Sequence, residues 1–367
     1  MNLLEYIVFI ESKVRKCNRF IPPGIVSFVY SDARKYIINS LVSSKITKRN
    51  IPESAKVKLW DIEFNSGIFN AAGMFKDGRG YNICANMGAG AFLAGTTTLT
   101  PRTGNKKNGI LHPFMPYVYS KSASNWMGLP NKGHAAIAKK ISKIDKIPGC
   151  PIGASISADP ESISIASNGV VEGLMLYEAS GVDFIELNES CPNVSSGKST
   201  SVLSESLIQR LEYVSEKFLS RRKKKLAVIV KLSNDTSINL LPQILDLLVT
   251  LGFDGVNFGN TSTDYKKYIT QIQEEDHRLF NYFTKTFGGG LSGEILKQSS
   301  LELCSAAVAY LNTKELRQEF HCIRTGGIST KEDIEISRKN GILLNEWFTG
   351  FFDNFAKYGF DLYEQIV

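Results

Sequence analysis

From residue 67 onward, short runs rich in β-branched, aromatic and small apolar residues alternate with longer stretches of helical period. The runs at 67–73 (GIFNAAG), 92–98 (FLAGTTT), 151–157 (PIGASIS) and 184–190 (FIELNES) read as strands. So do 227–233 (AVIVKLS), 255–260 (GVNFGN), 322–328 (CIRTGGI) and 344–350 (LNEWFTG). Amphipathic stretches at 132–145, 160–181, 202–222, 236–252, 295–312 and 330–340 lie between them. Strands separated by helices form parallel βαβ units, and eight such units close a barrel. The pattern therefore predicts an α/β fold, a (β/α)8 TIM barrel, with its site built by the loops after the strands. The connections 99–131, 191–201 and 261–292 exceed ordinary βα turns, which marks them as lids or binding loops.

Residues 1–57 precede this pattern and read as an N-terminal helical extension, with the barrel occupying 58–367. Two helices, about 3–17 and 32–45, are expected to flank Pro22-Pro23, a pair that does not sit inside a helix. Glu5 and Glu11 interrupt the apolar opening residues, so no run reaches the roughly 18 apolar residues of a spanning helix. No basic segment precedes that stretch, which argues against a secretory signal.

Charge sharpens the division. The net charge is +7, and residues 1–50 hold nine basic side chains against three acidic ones. The body is thus nearly neutral under a basic cap. An anionic membrane surface suits the cap, a solvated helical face being the plainer alternative. A neutral body also speaks against nucleic acid as a partner. Six cysteines, none in a C-x-x-C pair, suggest neither a metal site nor a disulfide framework. A reducing location on the cytoplasmic side is expected, peripheral to a membrane or free of it.

Polar residues gather where a barrel keeps its chemistry. The loop Asn188-Glu189-Ser190-Cys191-Pro192-Asn193 follows the fourth strand, and Cys191 there suits a held acid or base if its thiolate is favoured. Cys84 and Cys304, within helical stretches, read instead as small buried hydrophobes. Lys231 points inward from the fifth strand. It needs either a ligand charge or a salt bridge to a neighbouring strand. The glycines of Thr325-Gly326-Gly327-Ile328 and Phe348-Thr349-Gly350-Phe351 are turns if taken singly. Paired at the seventh and eighth strands they suit a phosphate.

The loop N-E-S-C-P-N resembles the active-site loop of dihydroorotate dehydrogenases. The ordered set A-A-G-M-F-K-D-G (71–78), N-W-M-G-L-P-N (125–131), I-V-K-L around Lys231, G-G-L-S-G (289–293), T-G-G-I and F-T-G-F is similar to that family's over roughly 67–351. The resemblance implies FMN, oxidation of dihydroorotate to orotate in pyrimidine biosynthesis, and Cys191 as base. It implies that Lys76, Asn125, Asn188, Asn193, Asn260 and Thr261 hold substrate, with Asn257 competing with Asn260. On the cofactor side it implies Ala72, Gly73, Thr98, Ser155, Asn188, Lys231, Asn257, Gly293, Gly326, Gly327, Thr349 and Gly350. Lys231 is expected to face the flavin edge that gains negative charge.

Marks of two classes mix. Cys191 and M-G-L-P-N resemble the soluble class. K-D-G, G-G-L-S-G, F-T-G-F and a two-helix cap resemble the membrane-associated quinone reducers, so quinone is the expected acceptor. The alternatives are a soluble-class enzyme using fumarate or NAD, a dihydrouridine synthase-like flavin reductase, and a non-catalytic barrel held at a membrane.

Overall fold

The computed structural model describes residues 2–159, 162–189, 203–222 and 226–367. Eight parallel strands form one sheet: β1 (Ile68–Asn70), β2 (Phe92–Thr97), β3 (Ile152–Ile156), β4 (Phe184–Asn188), β5 (Ala227–Ser233), β6 (Gly255–Asn260), β7 (His321–Thr325) and β8 (Leu344–Trp347). They stand in the order β1-β8-β7-β6-β5-β4-β3-β2. The seam between β1 and β2 is closed by side chain and loop. Asn70 donates to the Leu93 carbonyl at 2.7 Å and accepts from its N–H at 3.2 Å. Beyond it, Gly73 N–H bonds Gly95 O at 2.8 Å and Gly95 N–H bonds Phe75 O at 3.0 Å. All eight predicted strands are present, and the fold is the predicted barrel.

Both faces of these strands are covered, so they are buried almost throughout and mostly apolar rather than alternating. The N-terminal end of the barrel is packed with Phe64, Phe69, Leu93, Phe184, Ile229 and Leu344. A hairpin, Val57–Leu59 with Ile62–Phe64, plugs that end and was not foreseen. Its Trp60 indole N–H bonds the Asp254 carbonyl at 3.0 Å.

The cap helices are α1 (Leu3–Val14) and α2 (Pro23–Ser43). The second corrects the expected 32–45. Pro23 occupies its first turn, where the missing N–H costs nothing, so the Pro pair starts the helix early. The helices that follow are α3 (Tyr81–Met87), α4 (His134–Ile141), α5 (Ile163–Ser180), α6 (Glu205–Val214), α7 (Leu241–Thr250), α8 (Tyr265–Tyr268), α9 (His277–Thr286), α10 (Lys297–Leu311), α11 (Lys331–Lys339), α12 (Thr349–Tyr358) and α13 (Leu362–Ile366). The six helices predicted inside the barrel are all there.

Two of the long connections share one structure. Phe114–Tyr117, Ser122–Asn125 and Gly290–Gly293 make a three-stranded antiparallel sheet at the barrel mouth, with Asn125 opposite Gly290. With α9 it builds a second core of Val26, Met115, Tyr117, Phe280, Phe283 and Leu291. The cap rests on this layer and on the barrel. Ser31 Oγ accepts from Phe114 N–H at 3.0 Å, and Arg15 pairs with Asp353 of α12 at 2.7 Å. The cap is therefore a lid joined to the mouth by polar contacts as well as by packing.

Candidate functional site

Above the apolar plug, six strands each turn one polar side chain inward: Ser155, Glu186, Lys231, Asn257, Thr325 and Glu346, all buried. Lys231 Nζ lies 2.7 Å from Glu346 Oε2 and 3.2 Å from Glu186 Oε2. Burial works against the Lys231 charge, but the two carboxylates outweigh it and hold its pKa above the ordinary lysine value. For Glu346 a rise has the opposite meaning, since it favours the neutral form. Burial and the like charge of Glu186 raise its pKa to about 8. The salt bridge considered for Lys231 thus exists, and it is double.

Directly above this layer opens a cavity of about 350 Å³ lined by Lys231 and Glu346. Of the residues expected to hold substrate, Lys76, Asn125, Asn188, Asn260 and Thr261 line it. So do Ala72, Gly73, Gly293, Gly326, Gly327, Thr349 and Gly350 from the cofactor set. Three of that set do not. Thr98 is turned into its own loop, where Asn131 Nδ2 donates to its hydroxyl at 2.9 Å. Ser155 and Asn257 lie beneath the floor and donate to Glu186 at 3.0 and 2.8 Å. Asn257 is therefore separated from the cavity, and Asn260 enters it, donating to Asn188 Oδ1 at 2.6 Å. Cys191 and Asn193 lie outside the described residues. The start of their loop is held firmly. Glu189 N–H continues the ladder to Lys231 O at 2.9 Å, and the buried Glu189 carboxylate accepts from Arg210 Nε at 2.7 Å.

The glycines answer a local demand. Gly326 and Gly327 have φ of +139° and +71°, and a Cβ on Gly327 would lie 2.5 Å from Lys297 Cα. A Cβ on Gly350 would meet Ile328 O at 2.2 Å. Thr349 and Gly350 open α12, whose first N–H groups have no helical partner, so this end of the cavity suits a phosphate. Two buried acceptors of lining residues, Glu346 Oε1 and Asn234 Oδ1, have no hydrogen-bond partner among the described residues and suit donors from a ligand. Glycine cradle, helix start and orphaned acceptors together fit a phosphate-bearing heterocycle with N–H groups.

Lys76 reaches the cavity from the loop after β1. Burial and the Arg34 guanidinium lower its pKa to about 7. Arg34, on α2, is itself buried, with no ion pair among the described residues, and burial lowers its pKa to about 10. It is one of the nine basic residues of the cap, and it faces inward rather than toward solvent. Arg34 lines a second cavity of about 710 Å³ between cap and barrel, with Val8, Tyr30, Ile37, Phe114 and Phe352. The two cavities share Gly293, Gly327, Ile328, Thr349 and Gly350, so one wall separates them. Glu346, Asn234 and Arg34 were missed as site residues. A charged residue inside an apolar run, as in L-N-E-W, was the available signal for the first.

Comparison with known proteins adds to this geometry. A family model described as dihydroorotate dehydrogenase matches residues 54–350. A relative from Trichodesmium erythraeum, named dihydroorotate dehydrogenase (quinone), is 26% identical over 332 residues, covering 89% of this chain and 82% of its own. One of the same name from Pectobacterium carotovorum is 27% identical over 312 residues, covering 83% and 85%. The crystal structure of DHODH from Eimeria tenella in complex with ferulenol superposes with a TM-score of 0.72 at 19% identity. It covers 91% of this chain and 88% of that one, a likeness of fold.

Proposed function

Because the chain belongs to the dihydroorotate dehydrogenase family, we propose that it oxidises dihydroorotate to orotate with bound FMN and passes the electrons to a quinone. The observation that carries this reading is the pair of cavities on one wall: one in the barrel mouth and a second, larger one between the cap and the barrel. Two substrates that never meet need two such chambers with a shared electron carrier between them.

Bound FMN would supply a hydride acceptor toward the substrate and an electron donor toward the quinone. Gly326, Gly327, Thr349 and Gly350 would hold its phosphate, and Lys231 would set positive charge beside its ring. Asn125, Asn188, Asn260 and Thr261 orient the substrate ring by hydrogen bonds, and Lys76 pairs with the substrate carboxylate. Cys191 takes the ring proton from the carbon next to the one that loses hydride. On the acceptor side, Arg34, which has no ion pair among the described residues, would offer its cation to a quinone oxygen that gains charge on reduction.

The same cap supports peripheral membrane contact, the source of an apolar acceptor. Among the described residues, 12 of 19 exposed large hydrophobics fall within residues 1–43, including Leu3, Phe9, Phe20, Ile25 and Phe28. None of the described helices is long and apolar enough to cross a membrane. An interfacial helix pair flanked by Lys13, Lys16 and Arg19 fits an anionic surface.

The direct test is the purified protein. It is expected to be yellow, to bleach anaerobically with dihydroorotate, and to recover colour faster with a ubiquinone analogue than with fumarate or NAD. Rapid recovery with fumarate and none with quinone would overturn the acceptor.

The Lys76 pKa makes a further prediction. Above about pH 7 the unliganded lysine loses its proton, so an anionic ligand must bring a proton in with it. The affinity for orotate, followed by the flavin spectrum, is expected to weaken by up to about tenfold per pH unit above that point. Lys76→Met is expected to bind weakly at every pH. A flat wild-type profile would remove Lys76 from the carboxylate.

A further inference from the structure

The floor of the cavity holds one ammonium and two carboxylates, and they cannot all be charged at low cost in so buried a place. A single proton makes the group neutral. The hydrogen bonds decide where it sits. Glu186 already has three donors: Ser155 Oγ at 3.0 Å, Asn257 Nδ2 at 2.8 Å and Lys231 Nζ at 3.2 Å. Those donors satisfy both of its oxygens and leave no room for a further proton. Glu346 has Lys231 on Oε2, and it competes with Asn257 Oδ1 for the one proton of the Thr325 hydroxyl, at 3.1 against 2.9 Å. Its Oε1 has no hydrogen-bond partner among the described residues, is buried, and belongs to a residue that lines the cavity. A charged carboxylate with one bare oxygen in such a place is expensive. A protonated one leaves an O–H free to donate upward.

We propose that Glu346 holds this proton and presents its Oε1–H, beside the Lys231 ammonium, to the edge of the bound cofactor that gains negative charge on reduction. This rests on the flavin reading above. Lys231 alone would supply a full positive charge there. With Glu186 ionised against it, the net field of the floor is close to zero, so the hydrogen bond from Glu346 becomes the site's means of stabilising the new charge. Arg324, the buried cation of β7, turns the other way and donates to Ser300 and Ser337 on the helical side. The neighbours bonded to the cluster are Ser155, Asn257 and Thr325. The raised Glu346 pKa agrees with this assignment.

Infrared difference spectroscopy reads the proton without relying on turnover. Wild type with flavin bound, near neutral pH, is expected to show the carbonyl band of a protonated carboxylic acid. The band should shift in deuterated water and move again when the flavin is reduced. Glu346→Gln should lose it. Glu186→Gln should lose it too, because the remaining carboxylate then pairs with Lys231 alone and ionises. The wild-type measurement decides the matter even if a variant does not fold. A colourless preparation would defeat the flavin reading, and with it the role toward the cofactor. A yellow protein with no such band, with a band unmoved by reduction, or with the band intact in Glu346→Gln would overturn this inference alone.

Discussion

Replacing Cys191 by alanine is expected to slow anaerobic reduction of the flavin by dihydroorotate by about 10²–10⁴-fold, the usual worth of a positioned general base. The flavin should stay bound, because Ala72, Gly73, Lys231, Gly293, Gly326, Gly327, Thr349 and Gly350, which line the cavity from other elements, are untouched. The loss should fall on the chemical step and not on binding. On the proposed roles, Asn188 and Asn260, linked to each other at 2.6 Å, would still present the substrate ring, and Lys76 would still meet its carboxylate. Nor should the loop lose its start, since Glu189 remains clamped by Arg210 and by the β5 backbone. Cys191→Ser keeps an O–H that can be deprotonated with help, so it should retain more rate than alanine. Stopped-flow reduction with excess dihydroorotate measures all three proteins. Undiminished reduction in the alanine variant would assign the base elsewhere.

The sequence told more about the barrel than about its lid, for a physical reason. A strand buried on both faces must be apolar along its length, and flanking helices must carry a stripe, so β1 to β8 announced themselves locally. The sheet at the mouth did not. Gly290–Gly293 pairs with Ser122–Asn125 across more than 160 positions, and neither segment alternates apolar and polar residues. Its stability comes from the core beneath it and from α2 above, which no local window contains. The hairpin at 57–64 is local and does alternate, Val57-Lys58-Leu59 against Ile62-Glu63-Phe64, but each arm is only three residues long and so falls below the length at which a strand can be read. The start of α2 was misplaced because Pro22-Pro23 reads as a break, whereas a proline in the first turn begins a helix.

The site divides in the same way. Lys76, Asn125, Asn188, Asn260 and the glycines were legible because they sit in motifs at strand ends. Thr98, Ser155 and Asn257 come from comparable positions, yet their side chains turn into the loop or under the floor. Direction at that scale depends on register between strands. Glu186 and Glu346 were visible as single acidic residues within apolar runs, the same anomaly that drew attention to Lys231. What the one-dimensional reading lacked was that β4, β5 and β8 bring the three anomalies to one point. A buried cation asks for a partner, and here two acidic partners were present in sequence from the start.

Removing that cation should therefore do more harm than any other change to the floor. Lys231→Met leaves Glu186 and Glu346 facing each other without compensation, and breaking a buried ion pair in this way costs about 3–5 kcal/mol. The cost should depend on pH, and its sign follows from proton counting. Without Lys231, burial and mutual repulsion hold both carboxyl groups above the roughly 4.3 of a glutamate in the unfolded chain. Between that value and their folded pKa the native state binds more protons than the unfolded one, so stability falls as pH rises. Wild type already carries one such group, with Glu346 raised to about 8, and the variant should add a second. Urea unfolding should find Lys231→Met nearest to wild type at about pH 5 and furthest from it at about pH 8. Adding Glu346→Gln removes one of the two carboxylates and should recover part of the loss at the higher pH, with flavin affinity still reduced because the positive charge beside the ring is gone. A Lys231→Met protein as stable as wild type at the higher pH would mean that the two carboxylates find donors elsewhere. The floor would then be held by Ser155, Asn257 and Thr325 rather than by the ammonium, and Lys231 would be free to serve the cofactor alone.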